Sequence, residues 1–226
     1  MVHVMARATA KINRFEQERQ LWGQGVLRVA GVDEVGCGPL AGPVVAAAAI
    51  LPPRWAKSGL PRGLKGLNDS KMLTALQRER FFSFLTNCAE VEFAIAEVDA
   101  GRIDAINIFQ AAHQAMNAAL AQLRPAADHA LVDGRRVKTM TVPQTAIVKG
   151  DLKSYSIAAA SVLAKVTRDR LMVDFDRQWP AYGFAEHKGY ATEQHLAAIA
   201  LHGPCPIHRR SFSPFKPAQA EFADLR

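Results

Sequence analysis

Apolar positions along the chain fall into short runs closed by acidic or glycine-rich turns, separated by longer stretches in which they step by three or four. Residues 12–22 set Ile12, Phe15, Leu21 and Trp22 among charges, the spacing of a short amphipathic helix. Residues 26–32 are rich in β-branched and apolar side chains and predict a first strand ending at Asp33-Glu34. Residues 44–51 predict a second, and the glycines between them make the pair a hairpin. Residues 52–66 mix prolines, glycines and cations without periodicity and predict a loop whose length suggests function. Ser70 or Thr74 caps a helix running through Leu85, residues 91–98 alternate as a third strand, and residues 104–123 form an alanine-rich helix ended by Pro125.

The pattern then repeats at shorter length. Residues 130–132 and 145–148 predict two strands, stopped by Asp133-Gly134 and by Lys149-Gly150-Asp151. From Ser156 onward, Ile157, Ala160, Ala164, Thr167, Leu171 and Phe175 define one helix face, with Lys165 and Arg168 off that stripe. Strands followed by helices, several times over, predict a mixed α/β domain with a central sheet.

Composition narrows the classes. The 226 residues, 49% of them hydrophobic, suit one packed domain. The longest apolar run, 44–51, is far short of the ~20 residues of a membrane-spanning helix, and no apolar segment follows Arg7 and Lys11, so the expectation is a cytoplasmic protein without membrane contact. Cys37, Cys88 and Cys205 are far apart with no CxxC pair, which argues against a disulfide framework or a structural zinc site. The net charge of +7 favours a polyanionic partner.

Against that basic background, Asp33, Glu34, Asp133 and Asp151 all fall at predicted strand ends, where open α/β sheets bind ligands. A single Asp-Gly is usually only a turn former. Four carboxylates drawn together would repel one another unless a cation separated them. Oxygen ligands without nearby His or Cys pairs point to Mg²⁺ or Mn²⁺, and two such ions would suit hydrolysis of a phosphodiester. Adjacent strand residues face opposite ways, so Asp33 and Glu34 share a site only if the strand bends, which Gly31, Gly36 and Gly38 permit.

The segments AGVDEVGCGPLAGPVVAAAAIL (30–51), LNDSKML (67–73), LVDG (131–134), KGD…SIAAASVLAKVTRDRLM (149–172), YGFAEHKGYAT (182–192) and HGPCPIHRRSF (202–212) resemble, in order, the successive blocks of ribonuclease HII, the type 2 ribonucleases H. The resemblance implies a ribonuclease H-like mixed central sheet flanked by helices, with a C-terminal helical portion that grips the duplex. It divides the chain into an N-terminal helical extension (1–25), a catalytic domain (26–214) and a tail (215–226).

The activity implied is two-metal hydrolysis of RNA in RNA–DNA hybrids, and cleavage 5′ of single ribonucleotides embedded in duplex DNA, leaving 3′-hydroxyl and 5′-phosphate ends. Asp33, Glu34, Asp133 and Asp151 take the catalytic, metal-binding roles. Gly36, Cys37 and Gly38 sense the 2′-hydroxyl together with Tyr190, and Lys71 and Lys165 contact phosphate. Cys37 departs from the family, which usually carries a cation there. A monomer is expected, and the terminal QAEFADLR is a candidate contact for a replication clamp.

Other readings compete. Lys149, Arg168, Lys188, Arg209 and Arg210 are either phosphate contacts or a solvated basic surface, Asp169 reads as an ion-pair partner of Lys165, and His187, His202 and His208 read as structural or phosphate-contacting. Residues 36–41 also fit a dinucleotide-binding fingerprint. Pro39 and a second strand stand where that fold needs a helix, and Asp33-Glu34 would repel a pyrophosphate. A non-catalytic hybrid-binding protein is the remaining alternative.

Overall fold

In the computed structural model, which describes residues 14–215, a five-stranded sheet in the order β3-β2-β1-β4-β5 separates two layers of helix. Antiparallel pairing joins β1 (Val29–Val35), β2 (Val44–Ile50) and β3 (Glu92–Val98), whereas β4 (His129–Asp133) and β5 (Gln144–Ile147) run parallel to β1. The helices are α1 (Glu16–Gly23), α2 (Trp55–Ser58), α3 (Ala75–Asn87), α4 (Ala100–Ile106), α5 (Ile108–Gln122), α6 (Tyr155–Gln178), α7 (Phe184–His187) and α8 (Glu193–His202). The fold is the predicted mixed α/β sheet with a helical C-terminal part.

β2 is buried along its whole length, which is why it reads as one apolar run rather than an alternation. Val44, Ala46 and Ala48 pack against Ala111, Ala115 and Met116 of α5, while Val45, Ala47 and Ala49 share the opposite core with Ala159, Val162 and Leu163 of α6. Small side chains let the helices close down on the sheet. The approach is tightest at Gly31, where a Cβ would lie 2.1 Å from the main-chain carbon of Ser156. Any side chain there would force α6 off β1, and interiors packed at crystal density do not absorb such a shift cheaply.

Several elements differ from their sequence-based boundaries. The predicted helix 104–123 is two helices, parted at Asn107 (φ 68°), whose side chain accepts a 3.1 Å bond from the Gln110 N–H and caps α5. Apolar periodicity is blind to a one-residue break of this kind. The predicted loop 52–66 contains α2 and a 3₁₀ turn, Arg62–Leu64, with Trp55 and Leu64 buried against the α6 core. Thr74 caps α3 in a reciprocal capping box with Gln77. No described helix is long and apolar enough to cross a membrane. Ile12, from the predicted first helix, and the terminal QAEFADLR lie outside the described residues.

The C-terminal helices close over one end of the molecule. Tyr182, Phe184, Ala198, Ile199 and Cys205 form a separate apolar cluster with Met172 of α6 and with Leu40 and Ala41 from the connection between β1 and β2. That packing ties the glycine-rich connection to the last third of the chain.

Candidate active site

The carboxyl ends of the parallel strands β1, β4 and β5 lie side by side, and the four acidic residues collect there. Asp33 and Glu34 lie inside β1 rather than beyond its end, and pairing with β2 stays in register from Ala30 to Val35. The expected bend is therefore absent. Strand alternation puts Asp33 on the α6 side, bonded to Ser161, and Glu34 on the other. What unites them is Asp133, which ends β4 one step beyond the Val32–Val132 pair and lies close enough to act on both charges.

The electrostatics of this corner are unfavourable to four ionised groups. Asp33 is 7% exposed, and burial, then Glu34 and Asp133, pushes its carboxyl well above the ordinary range, against hydrogen bonds from Ser161 and from the Glu34 N–H at 2.8 Å. Burial followed by the charge of Asp133 raises Glu34. Asp151 is raised by burial, then by Asp133 and Asp69. Asp151 follows β5 through a left-handed turn at Lys149 (φ 55°), and the Gly150 N–H donates to Asp133 Oδ1 at 2.6 Å, fixing the two carboxylates relative to each other.

Two further elements hold the corner in place. Asp69 accepts the Lys71 N–H at 2.8 Å, and Ser70 Oγ meets Ser161 Oγ at 2.9 Å, so the segment around Lys71 is fastened to α6. Partial burial disfavours the Lys71 cation, but Asp69, Asp33, Asp151 and Asp133 outweigh it and raise the pKa. Arg14 donates to the main-chain carbonyls of Asp151 and, at 2.5 Å, Leu67. Sequence reasoning missed Arg14 and Ser161, because one is a charge in an amphipathic segment and the other a small residue in an alanine run.

Beside the carboxylates lies the connection 36–43. Gly36 has φ 95°, a conformation that disfavours any side chain. A Cβ on Gly38 would lie 3.7 Å from Tyr190 Cε1, so the turn and the 46% exposed tyrosine adjoin as expected. The Cys37 thiol lies 3.8 Å from Glu34 Oε1; burial, then that carboxylate, pushes it up to about 12, so it is a neutral group packed on the α5-side core.

The other predicted residues sort differently. Lys165 is held by Asp169 at 2.7 Å, as its spacing predicts. Arg168 and Arg209 overturn the expectation of a solvated or phosphate-facing surface, since both are 0% exposed. His187 and His208 are buried in a hydrogen-bonded cluster with His195 and Tyr182. No histidine is among the groups that shift the carboxylates.

The donor set suits a hard divalent cation. All four groups are carboxylates, and a bound cation would relieve the mutual repulsion that raises Asp33, Glu34 and Asp151. Among the described residues no three acidic, His or Cys side chains form a ready-made metal cage.

Known proteins match this chain closely. The profile of the family described as Ribonuclease HII matches residues 30–214. A Ribonuclease HII of Ruminiclostridium cellulolyticum is 51% identical over 195 residues, 86% of this chain and 73% of that protein. Among solved structures, the ribonuclease H2 of Pyrococcus horikoshii OT3 superposes with a TM-score of 0.68 at 28% identity, over 84% of this chain and 95% of that one. A ribonuclease HII of Archaeoglobus fulgidus, solved in complex with PCNA, gives 0.65 at 25% identity, over 81% and 94%.

Proposed function

The chain belongs to the ribonuclease HII family, as a metal-dependent endoribonuclease acting on RNA–DNA hybrids, and we propose that it also cleaves 5′ of single ribonucleotides embedded in duplex DNA, leaving 3′-hydroxyl and 5′-phosphate ends. The observation that carries the assignment of the catalytic corner is that Asp33, Glu34 and Asp151 each feel the charge of Asp133 at the carboxyl ends of parallel strands. In this reading Asp33, Glu34, Asp133 and Asp151 hold Mg²⁺ or Mn²⁺ in a two-metal arrangement. Bound there, the metal supplies the Lewis acidity that activates water and stabilises the leaving oxygen.

The chain's own residues do the remaining work. Gly150 N–H and Ser161 hold Asp133 and Asp33 in fixed orientations. Lys71, at the rim of the cluster, is placed to meet a phosphate oxygen. Lys165 contributes to the same track once its pairing with Asp169 opens. The turn 36–38 reads the 2′-hydroxyl, the group that separates RNA from DNA chemically, while Tyr190 packs against the adjoining sugar. Cys37 takes part through its backbone, since its thiol stays neutral.

The protein acts as a monomer in this reading. A clamp contact through the terminal QAEFADLR fits the relative solved in complex with PCNA, although that segment lies outside the described residues.

The decisive assay uses a DNA duplex with one internal ribonucleotide and Mg²⁺ or Mn²⁺. Cleavage on the 5′ side of the ribonucleotide is expected, and an intact duplex would sink the proposal. Binding without metal-dependent cleavage would select the hybrid-binding alternative.

A further inference from the structure

Beneath the glycine-rich connection lie two arginines that the catalytic corner does not use. Arg168 on α6 and Arg209 after α8 are both 0% exposed. Neither belongs to any ion pair among the described residues. Among the described residues, all their side-chain hydrogen bonds go to main-chain carbonyls. Arg168 donates to Pro43 at 2.9 Å, Ala41 at 3.0 Å and Lys188 at 3.1 Å. Arg209 donates to Gly36 at 2.6 Å, Cys37 at 3.1 Å and Gly42 at 2.8 and 3.0 Å. A guanidinium is the one side chain with five donors in a fixed plane, so it can hold this many carbonyls at once.

The consequence for the turn is geometric. The carbonyls of Gly36, Cys37, Ala41, Gly42 and Pro43 all point inward onto guanidinium groups, and that of Leu40 accepts the Arg209 N–H at 2.8 Å. Leu40 and Gly42 spend their own N–H groups on Gly189 and Ile207. Those of Cys37 and Gly38 donate to nothing among the described residues. The arginines also explain a glycine: a Cβ on Gly36 would lie 2.2 Å from Arg168 Nε. The turn is thus backed by two positive charges and carries two free donors beside Tyr190.

We propose that Arg168 and Arg209 are positioning residues for ribonucleotide recognition, holding the carbonyls of Gly36, Cys37 and residues 41–43 inward so that the Cys37 and Gly38 N–H groups face the 2′-oxygen of the substrate. Their buried charge strengthens those donors, as cationic neighbours polarise hydrogen bonds in a low dielectric. This rests on the turn being the ribonucleotide sensor.

The test measures binding rather than turnover. In a cleavage-inert Asp133→Asn chain, affinity is compared for a duplex with one ribonucleotide and for the all-DNA duplex, with and without Arg209→Lys or Arg168→Lys, beside a melting curve for each protein. Misaiming one donor should cut the preference for the ribonucleotide about fivefold, the worth of one hydrogen bond, while all-DNA affinity changes far less. A folded lysine variant that keeps the full preference overturns the proposal, since a merely structural role would lower the melting temperature and leave the ratio alone.

If neither lysine variant folds, amide resonances of the Asp133→Asn chain decide. Cys37 and Gly38 should shift more with the ribonucleotide duplex than with all-DNA, and equal shifts overturn the idea. Absence of any preference before the arginines are touched would instead sink the reading of the turn as the sensor.

Discussion

At the ends of the parallel strands, Asp33, Glu34, Asp133 and Asp151 crowd like charges into a partly desolvated corner, and the raised pKa values of Asp33, Glu34 and Asp151 record the strain. A short distance away, Arg168 and Arg209 are buried still more completely, yet every side-chain bond they make among the described residues ends on a backbone carbonyl. One region buries charge that its surroundings do not neutralise, and in the proposed reading it takes up a cation and a phosphate. The other buries charge that the backbone satisfies, and is built to stay as it is. The contrast teaches that burial alone does not tell a reactive group from a structural one. The test is whether the hydrogen-bonding and electrostatic needs of the group are met inside the fold.

The sharpest way to break the contrast is Asp133→Asn. Cleavage should fall by more than ~100-fold, because loss of a ligand exceeds the effect of disturbing a metal's outer contacts. The same change should raise the metal-free melting temperature, since it removes a charge acting on Asp33, Glu34 and Asp151, and Mn²⁺ should stabilise the variant less than the parent. A variant that melts lower than the parent without metal would contradict the picture of a strained corner.

On the satisfied side, Arg209→Met should cost about 4 kcal/mol, since it strands the carbonyls of Gly36, Cys37 and Gly42 at ~1–3 kcal/mol each, partly relieved elsewhere. Denaturant unfolding measures it, and a loss under ~1 kcal/mol would mean that those carbonyls find other donors.

The histidine cluster makes a pH-dependent version of the same prediction. His195 Nδ1 faces the Tyr190 carbonyl at 2.8 Å and so carries the proton, which leaves its Nε2 to accept from His208 Nε2 at 3.0 Å. His208 Nδ1 then accepts the Cys205 N–H at 2.9 Å and has no room for a proton. Burial, then the neighbouring His195, lowers His208 to about 4. The unfolded chain takes up this proton near pH 6.5, so stability is whole above that value and falls as pH drops toward 4, by about 3 kcal/mol. An Asp33→Asn background removes one carboxylate whose raised pKa acts in the opposite sense. Since Glu34, Asp151 and Glu18 are raised as well, the decisive measurement is an NMR titration of His208, and protonation near pH 6.5 in the folded chain would refute the tautomer assignment.

The smallest expected stability effect is at the surface. Tyr190→Ala should change unfolding by under ~1 kcal/mol, as the ring is 46% exposed. Selectivity for the ribonucleotide junction should nonetheless drop, and unchanged selectivity in the cleavage assay would remove Tyr190 from the recognition side.

The carboxylates were legible because each lies where an apolar run stops, and runs that stop at Asp are visible without coordinates. Their meeting point was not. Alternation along β1 argued that Asp33 and Glu34 should diverge, and they do; only the parallel pairing of β4 with β1 brings Asp133 within reach of both. Arg168 shows the opposite failure. It falls off the apolar stripe of its helix, which normally means solvent, yet it is buried because the connection 36–43 and the segment after α7 fold over that side.

By itself, then, the sequence determined the five strands and their order, the acidic residues that close the apolar runs and the glycines that make the turn, since these follow from local periodicity and from side chains too small or too charged for alternatives. The tertiary structure decided which carboxylates share a corner, why Gly31 can have no side chain, and that two arginines and three histidines serve the interior. The arginines depend on segments more than a hundred residues apart, Gly36 with Arg209 and Pro43 with Arg168, and no local pattern carries the distance between them.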